Sequence, residues 1–144
     1  MTDSEGERLF FEALDRFGLP PPSGVHHPYG SERAGFWADM DAYWEEIKLN
    51  VEIDHVATHG WATDIESDRA RDNGLVAEGV TVLRITHAQL RDALPKTMSN
   101  LAETMRRLYA ETAAREGQGE PLDAAAQAFG ARRSAAKAAA GVPA

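Results

Sequence analysis

Apolar and polar residues alternate without a break through Ile47-Lys48-Leu49-Asn50-Val51-Glu52-Ile53-Asp54. A period of two marks a β-strand with two unlike faces. Ile47, Leu49, Val51 and Ile53 turn towards a core, and Lys48, Asn50, Glu52 and Asp54 turn the other way. Elsewhere the spacing is helical. Leu9, Phe10, Ala13, Leu14 and Phe17 follow a Ser4–Glu7 capping box, with Gly18 as the stop. The proline-rich stretch 20–24 is a loop. Val25 to Tyr29 reads as a short edge strand limited by Pro28, and Phe36 to Tyr43 as a second strand. A hairpin turning at Trp44-Glu45-Glu46 joins it to the third, Ile47 to Asp54. Thr63 and Glu66 make another capping box, for a helix reaching about Glu78 and stopped by Gly79. Val80 to Ile85 is rich in β-branched residues and suits a buried strand beside the carboxylate strand. Thr86 and Gln89 repeat the capping signature. A last helix carries Leu94, Met98, Leu101, Met105 and Leu108 at three- and four-residue steps, with Pro95 in its first turn. The fold class is α/β (α+β), with a mixed sheet of about four strands flanked by helices.

Composition narrows the function classes. The 144 residues suit one domain, and the absence of cysteine excludes disulfides, thiolate metal sites and cysteine nucleophiles. No apolar run approaches the roughly 18 residues of a membrane span, so no membrane partner is expected. Met1-Thr2-Asp3-Ser4-Glu5 lacks the basic-then-apolar layout of a signal peptide, which leaves a cytoplasmic location as the default. A net charge of −8 argues against a protein that coats nucleic acid through lysine and arginine. It leaves room for an enzyme that grips DNA through a local basic patch and bound metal. Beyond Glu116 the composition turns to alanine, so residues 1–116 are read as the folded domain and 117–144 as a flexible tail or short helix.

Glu52 and Asp54 stand about 7 Å apart along a strand rising roughly 3.3 Å per residue. A hard divalent cation fits between such carboxylates, with a histidine arriving from the following loop at His55 or His59. The plain alternative is a solvated strand face.

The ordered set of residues from Ser4 to about Leu90 resembles the very-short-patch-repair (Vsr)-like branch of the PD-(D/E)xK restriction-endonuclease-like superfamily. An early helical glutamate is matched by Glu7, ahead of Phe10-Phe11 and Leu14, and a strand aspartate by Asp41. The E-x-D strand is matched by Glu52 and Asp54, and the following histidine by His59, with His55 as the alternative. A D-x-x-R-D-x-x-L helix is matched by Asp68, Arg71, Asp72 and Leu75, and a closing G-x-x-V-L-R by Gly79, Val82, Leu83 and Arg84. His55 stands where such chains carry glycine. The resemblance implies a divalent-metal-dependent DNA endonuclease or nickase that hydrolyses phosphodiester bonds, with a role such as DNA repair. It implies Mg²⁺, with Mn²⁺ as its substitute, on Asp41, Glu52 and Asp54. His59 would be the proton-transfer group, Glu7 and Asp68 outer members, and DNA the partner of a monomer or homodimer. The alternative is a catalytically inactive nuclease fold that binds DNA or protein.

Each candidate also has a structural reading. Glu7 closes a capping box. Asp68 and Asp72 fall on one helix face with Ile65 and Leu75 and would pair with Arg69, Arg71 or Arg84. Buried carboxylates need partners, and Arg84 on the next strand is the obvious one. His26 and His27 suit surface or packing roles, and His87, just after a cap residue, is expected to be exposed. Trp37, Trp44 and Trp61 read as core or rim.

Overall fold

The computed structural model describes residues 3–31, 35–54 and 62–117. Eight elements follow in the order α1 (Asp3–Arg16), β1 (Gly24–Ser31), β2 (Phe36–Trp44), β3 (Leu49–Asp54), α2 (Ala62–Ala77), β4 (Thr81–Thr86), α3 (His87–Asp92) and α4 (Leu94–Glu116). The four strands form one mixed sheet in sequence order, with β1–β2 and β2–β3 antiparallel and β3–β4 parallel. The fold class expected from the patterning is therefore the one observed. The chain gathers into two compact units, one from residue 22 to residue 87, the other joining residues 4–21 to those after 87. His55, His59, Trp61 and the Ala-rich tail lie outside the described residues.

In the first unit, β2 and β3 meet through a four-residue turn, Glu45 to Lys48, closed by Lys48 N–H donating to the Glu45 carbonyl. Lys48 takes φ 47°, a left-handed conformation that side chains other than glycine rarely adopt. Ile47 and Lys48 therefore belong to the turn, and the strand starts two residues later than the alternation suggests. Strand β3 is buried on both faces. Leu49 and Val51 are fully buried on one, as expected, but Asn50 and Glu52 are also buried on the other.

That second face lies under α2. Tyr43 shares a core cluster with Ala38, Met40, Leu75 of α2 and Val80. Ala38 and Met40 differ in parity from Tyr43, so the alternation of β2 changes phase between Met40 and Tyr43. The neighbouring pairs Val25↔Ala42 and His27↔Met40 put His26 opposite Asp41, and His26 has φ 48°. Both strands thus depart from regular pleating at one register position. The shift lets His27 stack on Tyr43 at 5.5 Å, a packing role as expected. The helix above ends at Gly79, whose φ of 83° is the left-handed conformation of a glycine stop.

In the second unit, α1 buries Phe10, Ala13, Leu14 and Phe17, and α4 buries Met98, Leu101, Met105 and Leu108, the spacings read from the sequence. Pro95 occupies the first turn of α4, and Gly117 caps its end in the left-handed conformation. His87, the last residue of the first unit, opens α3 and is buried at 6 % exposure, a correction to the expected exposed position. The helix begins directly on the last strand residue, leaving no exposed linker for the imidazole to occupy.

Candidate functional site

Strand β3 brings Asn50, Glu52 and Asp54 to the α2 side of the sheet. Their neighbours come from β2, α2 and β4. In register, Asp41 is the next residue opposite Glu52 after the pair Ala42↔Val51. Asp41 Oδ2 accepts the N–H of Ile53 at 2.9 Å, so a side chain takes up an amide at the end of the paired stretch. On the far side, Glu52 is paired with Arg84 and Asp54 with Thr86 through the parallel β3–β4 ladder.

Glu52 is the most buried of these acids, at 5 % exposure. Burial pushes its carboxyl up to about 7. The Asn50 amide, donating to Oε1 at 2.9 Å, and the Arg71 charge oppose the rise. The negative charge of Asp41 adds to it. Asp41 and Glu52 thus stand at facing positions of β2 and β3, near enough for the charge of one to act on the other. Two of the three acids read as metal ligands from the sequence come together in this way.

Asp54 is engaged differently. Arg84 Nη1 donates to both of its carboxylate oxygens, at 2.8 and 3.0 Å. The same guanidinium donates through Nε and Nη2 to Asp72 of α2, at 2.8 to 3.0 Å. Burial works against the charge of Arg84, but the bonds to Asp72 and Asp54 outweigh it and hold the guanidinium charged well above its usual range. Asp54, Arg84 and Asp72 therefore form a clamp between β3, β4 and α2.

Arg71, one turn of α2 after Asp68, behaves otherwise. Its guanidinium lies 3.9 Å from Glu52, 3.9 Å from Asp68 and 3.8 Å from Asp72, beyond hydrogen-bond reach of each. Its buried Nε has no hydrogen-bond partner. Among the described residues, Glu52, Asp54, Asp68 and Asp72 thus face the guanidiniums of Arg71 and Arg84, and of these two Arg84 is bonded to its carboxylates while Arg71 is not.

Oxygen donors at facing strand positions, with the Arg71 guanidinium short of bonding distance, suit a hard divalent ion such as Mg²⁺ or Mn²⁺. Such a donor set would hold the ion through Asp41 and Glu52. His26, opposite Asp41, offers a ring nitrogen within 4.8 Å of an Asp41 oxygen. Glu7 lies half-buried on α1 in the second unit, and His59 lies outside the described residues. Sequence reading passed over Asn50; its place two residues before Glu52 on a buried face was the available signal. No protein-family description, curated protein or solved structure matches the chain.

Proposed function

We propose that the chain is a divalent-metal-dependent DNA endonuclease or nickase of the restriction-endonuclease-like kind, with Asp41 and Glu52 as its cation-binding pair. The observation that carries it is the placing of Asp41 opposite the buried Glu52 in the β2–β3 register, with the Arg71 guanidinium held 3.9 Å from Glu52. Like charges placed together beneath a helix destabilise a fold unless a cation or a proton neutralises them. The order of the motif residues along the chain supports the nuclease reading. When bound, a divalent ion supplies an activated water and Lewis-acid stabilisation of charge on a phosphodiester.

The residues of this chain carry the remaining tasks. Asp41 and Glu52 hold the ion's position, and the Ile53 N–H and the Asn50 amide orient one oxygen of each. The Asp54–Arg84–Asp72 clamp fixes the end of β3 that leads into the segment carrying His55 and His59. His59 keeps the proton-transfer role in this proposal, since an imidazole titrating near neutrality both takes and gives a proton. Asp54 is assigned to positioning rather than ligation, because Arg84 occupies both of its oxygens. Asp68, beside Arg71, is an outer member, as is Glu7.

Incubation of supercoiled plasmid with Mg²⁺ or Mn²⁺ tests the reading. Wild type is expected to nick, and Asp41→Asn, which keeps an oxygen acceptor for Ile53, is expected not to. Equal nicking by both would discard the assigned pair. DNA binding without cleavage by wild type would favour the inactive binding module. No helix among the described residues is long and apolar enough to cross a membrane.

A further inference from the structure

The side chain of Asn50 is fully buried; its Nδ2 donates to Glu52 Oε1 at 2.9 Å, while its Oδ1 has no hydrogen-bond partner. A buried carbonyl oxygen without a donor is a standing cost. Arg84 is committed to Asp54 and Asp72, and Arg71 stands off at 3.8 to 3.9 Å from three carboxylates. A buried amide oxygen beside a carboxylate is relieved by a hard cation, which takes carboxylate and carboxamide oxygens alike.

Resting on the cation-binding reading above, the geometry points to Asn50 as a third oxygen ligand of the divalent ion held by Asp41 and Glu52. The Asn50 amide meets Glu52 at 2.9 Å. Reversing the amide about its last torsion brings Oδ1 to the place of Nδ2, the same distance from Glu52 Oε1. Adjacent ligand oxygens of an octahedral Mg²⁺ site, with bonds of about 2.0–2.1 Å, lie about 2.9 Å apart. The two oxygens thus span one edge of such a site without movement of the backbone. Arg71, bonded to none of its acids, gives ground towards Asp68 and Asp72 as the ion takes over the neutralisation of Glu52. An all-oxygen set of this kind suits Mg²⁺, Mn²⁺ or Ca²⁺.

The test is thermal unfolding of the full chain against increasing Mg²⁺, Mn²⁺, Ca²⁺ and Zn²⁺. Wild type should be stabilised by the hard ions. Asn50→Leu, of similar volume, should unfold below the wild-type temperature without metal, having lost the donor to Glu52, and need at least tenfold more ion for the same upward shift. Asn50→Asp, which retains an oxygen and adds charge, should need no more ion than wild type. Ion dependence of Asn50→Leu within twofold of wild type overturns the assignment while leaving the Asp41–Glu52 reading standing. Should Asn50→Leu fail to fold, Asn50→Asp decides, and weaker ion binding than wild type overturns it. A wild type that answers only to Zn²⁺ moves the third ligand to His26 and rejects Asn50. No response to any of the ions rejects the cation site and this ligand with it.

Discussion

Asp41 and Ile53 are joined by a hydrogen bond from the Ile53 N–H to Asp41 Oδ2 at 2.9 Å, a side-chain acceptor at the end of the β2–β3 pairing. The acid therefore has a structural duty apart from any ligand. Asp41→Asn keeps an acceptor and should cost less than about 1 kcal/mol, whereas Asp41→Ala leaves the amide unpaired and should cost about 1–3 kcal/mol. Urea unfolding of the two variants checks this. Equal losses would mean that the bond contributes nothing.

The buried carboxyl of Glu52 makes stability depend on pH in an uncommon direction. Its folded value of about 7 lies above the ordinary value near 4.5, because burial penalises the charged form. The contribution is fully present below about 4.5 and is lost as pH rises through 7, amounting to about 3 kcal/mol. Glu52→Gln should flatten this slope and leave the protein more stable than wild type at pH 8. Urea midpoints between pH 5 and pH 8, measured in chelator, supply the comparison, and parallel curves for the two proteins would contradict it.

Arg84 should be the least replaceable side chain of the acidic interior. Arg84→Gln abandons two carboxylates that are about three-quarters buried, and should cost about 3 kcal/mol. Asp72→Asn in the same chain should recover part of that loss, because one of the abandoned charges is gone. A double-mutant cycle measures the coupling, expected to exceed about 0.5 kcal/mol. Strict additivity would show that the clamp is not a unit.

Lys48→Gly should stabilise the hairpin. The left-handed backbone at Lys48 costs an L-residue roughly 1–2 kcal/mol, and glycine's looser unfolded chain returns about half of that advantage. A net gain of about 0.5–1 kcal/mol is expected in thermal unfolding. A loss would mean that the Lys48 side chain makes a compensating contact.

Much of this architecture is legible in the residues themselves. Gly79, Pro95 and Gly117 mark their helices because only particular backbones tolerate them, and the period of two at Leu49–Asp54 gives the central strand. The phase change at His26 and Asp41 was not legible, because no glycine or proline stands at either position to announce it. The helix covering the polar face of β3 was not legible for a related reason. Alternation separates two faces but does not say whether a helix covers the second, and α2 has too weak an apolar stripe to advertise that it does. At the site, Arg84 was foreseen as a partner of buried acids, and it binds Asp54 and Asp72. Which of Glu52 and Asp54 would stand with Asp41 was not legible, since strand spacing ranks both acids equally.

The acids of β3 also discriminate against misfolding. A slip of one residue against its two neighbouring strands would carry Asn50, Glu52 and Asp54 into the layer now filled by Leu49 and Val51. Carboxylates stranded there would have neither guanidinium nor amide within reach, so the shifted alignment is heavily disfavoured. The groups that strain the native interior thus act as an alignment key, admitting only one way of zipping the central strand into place.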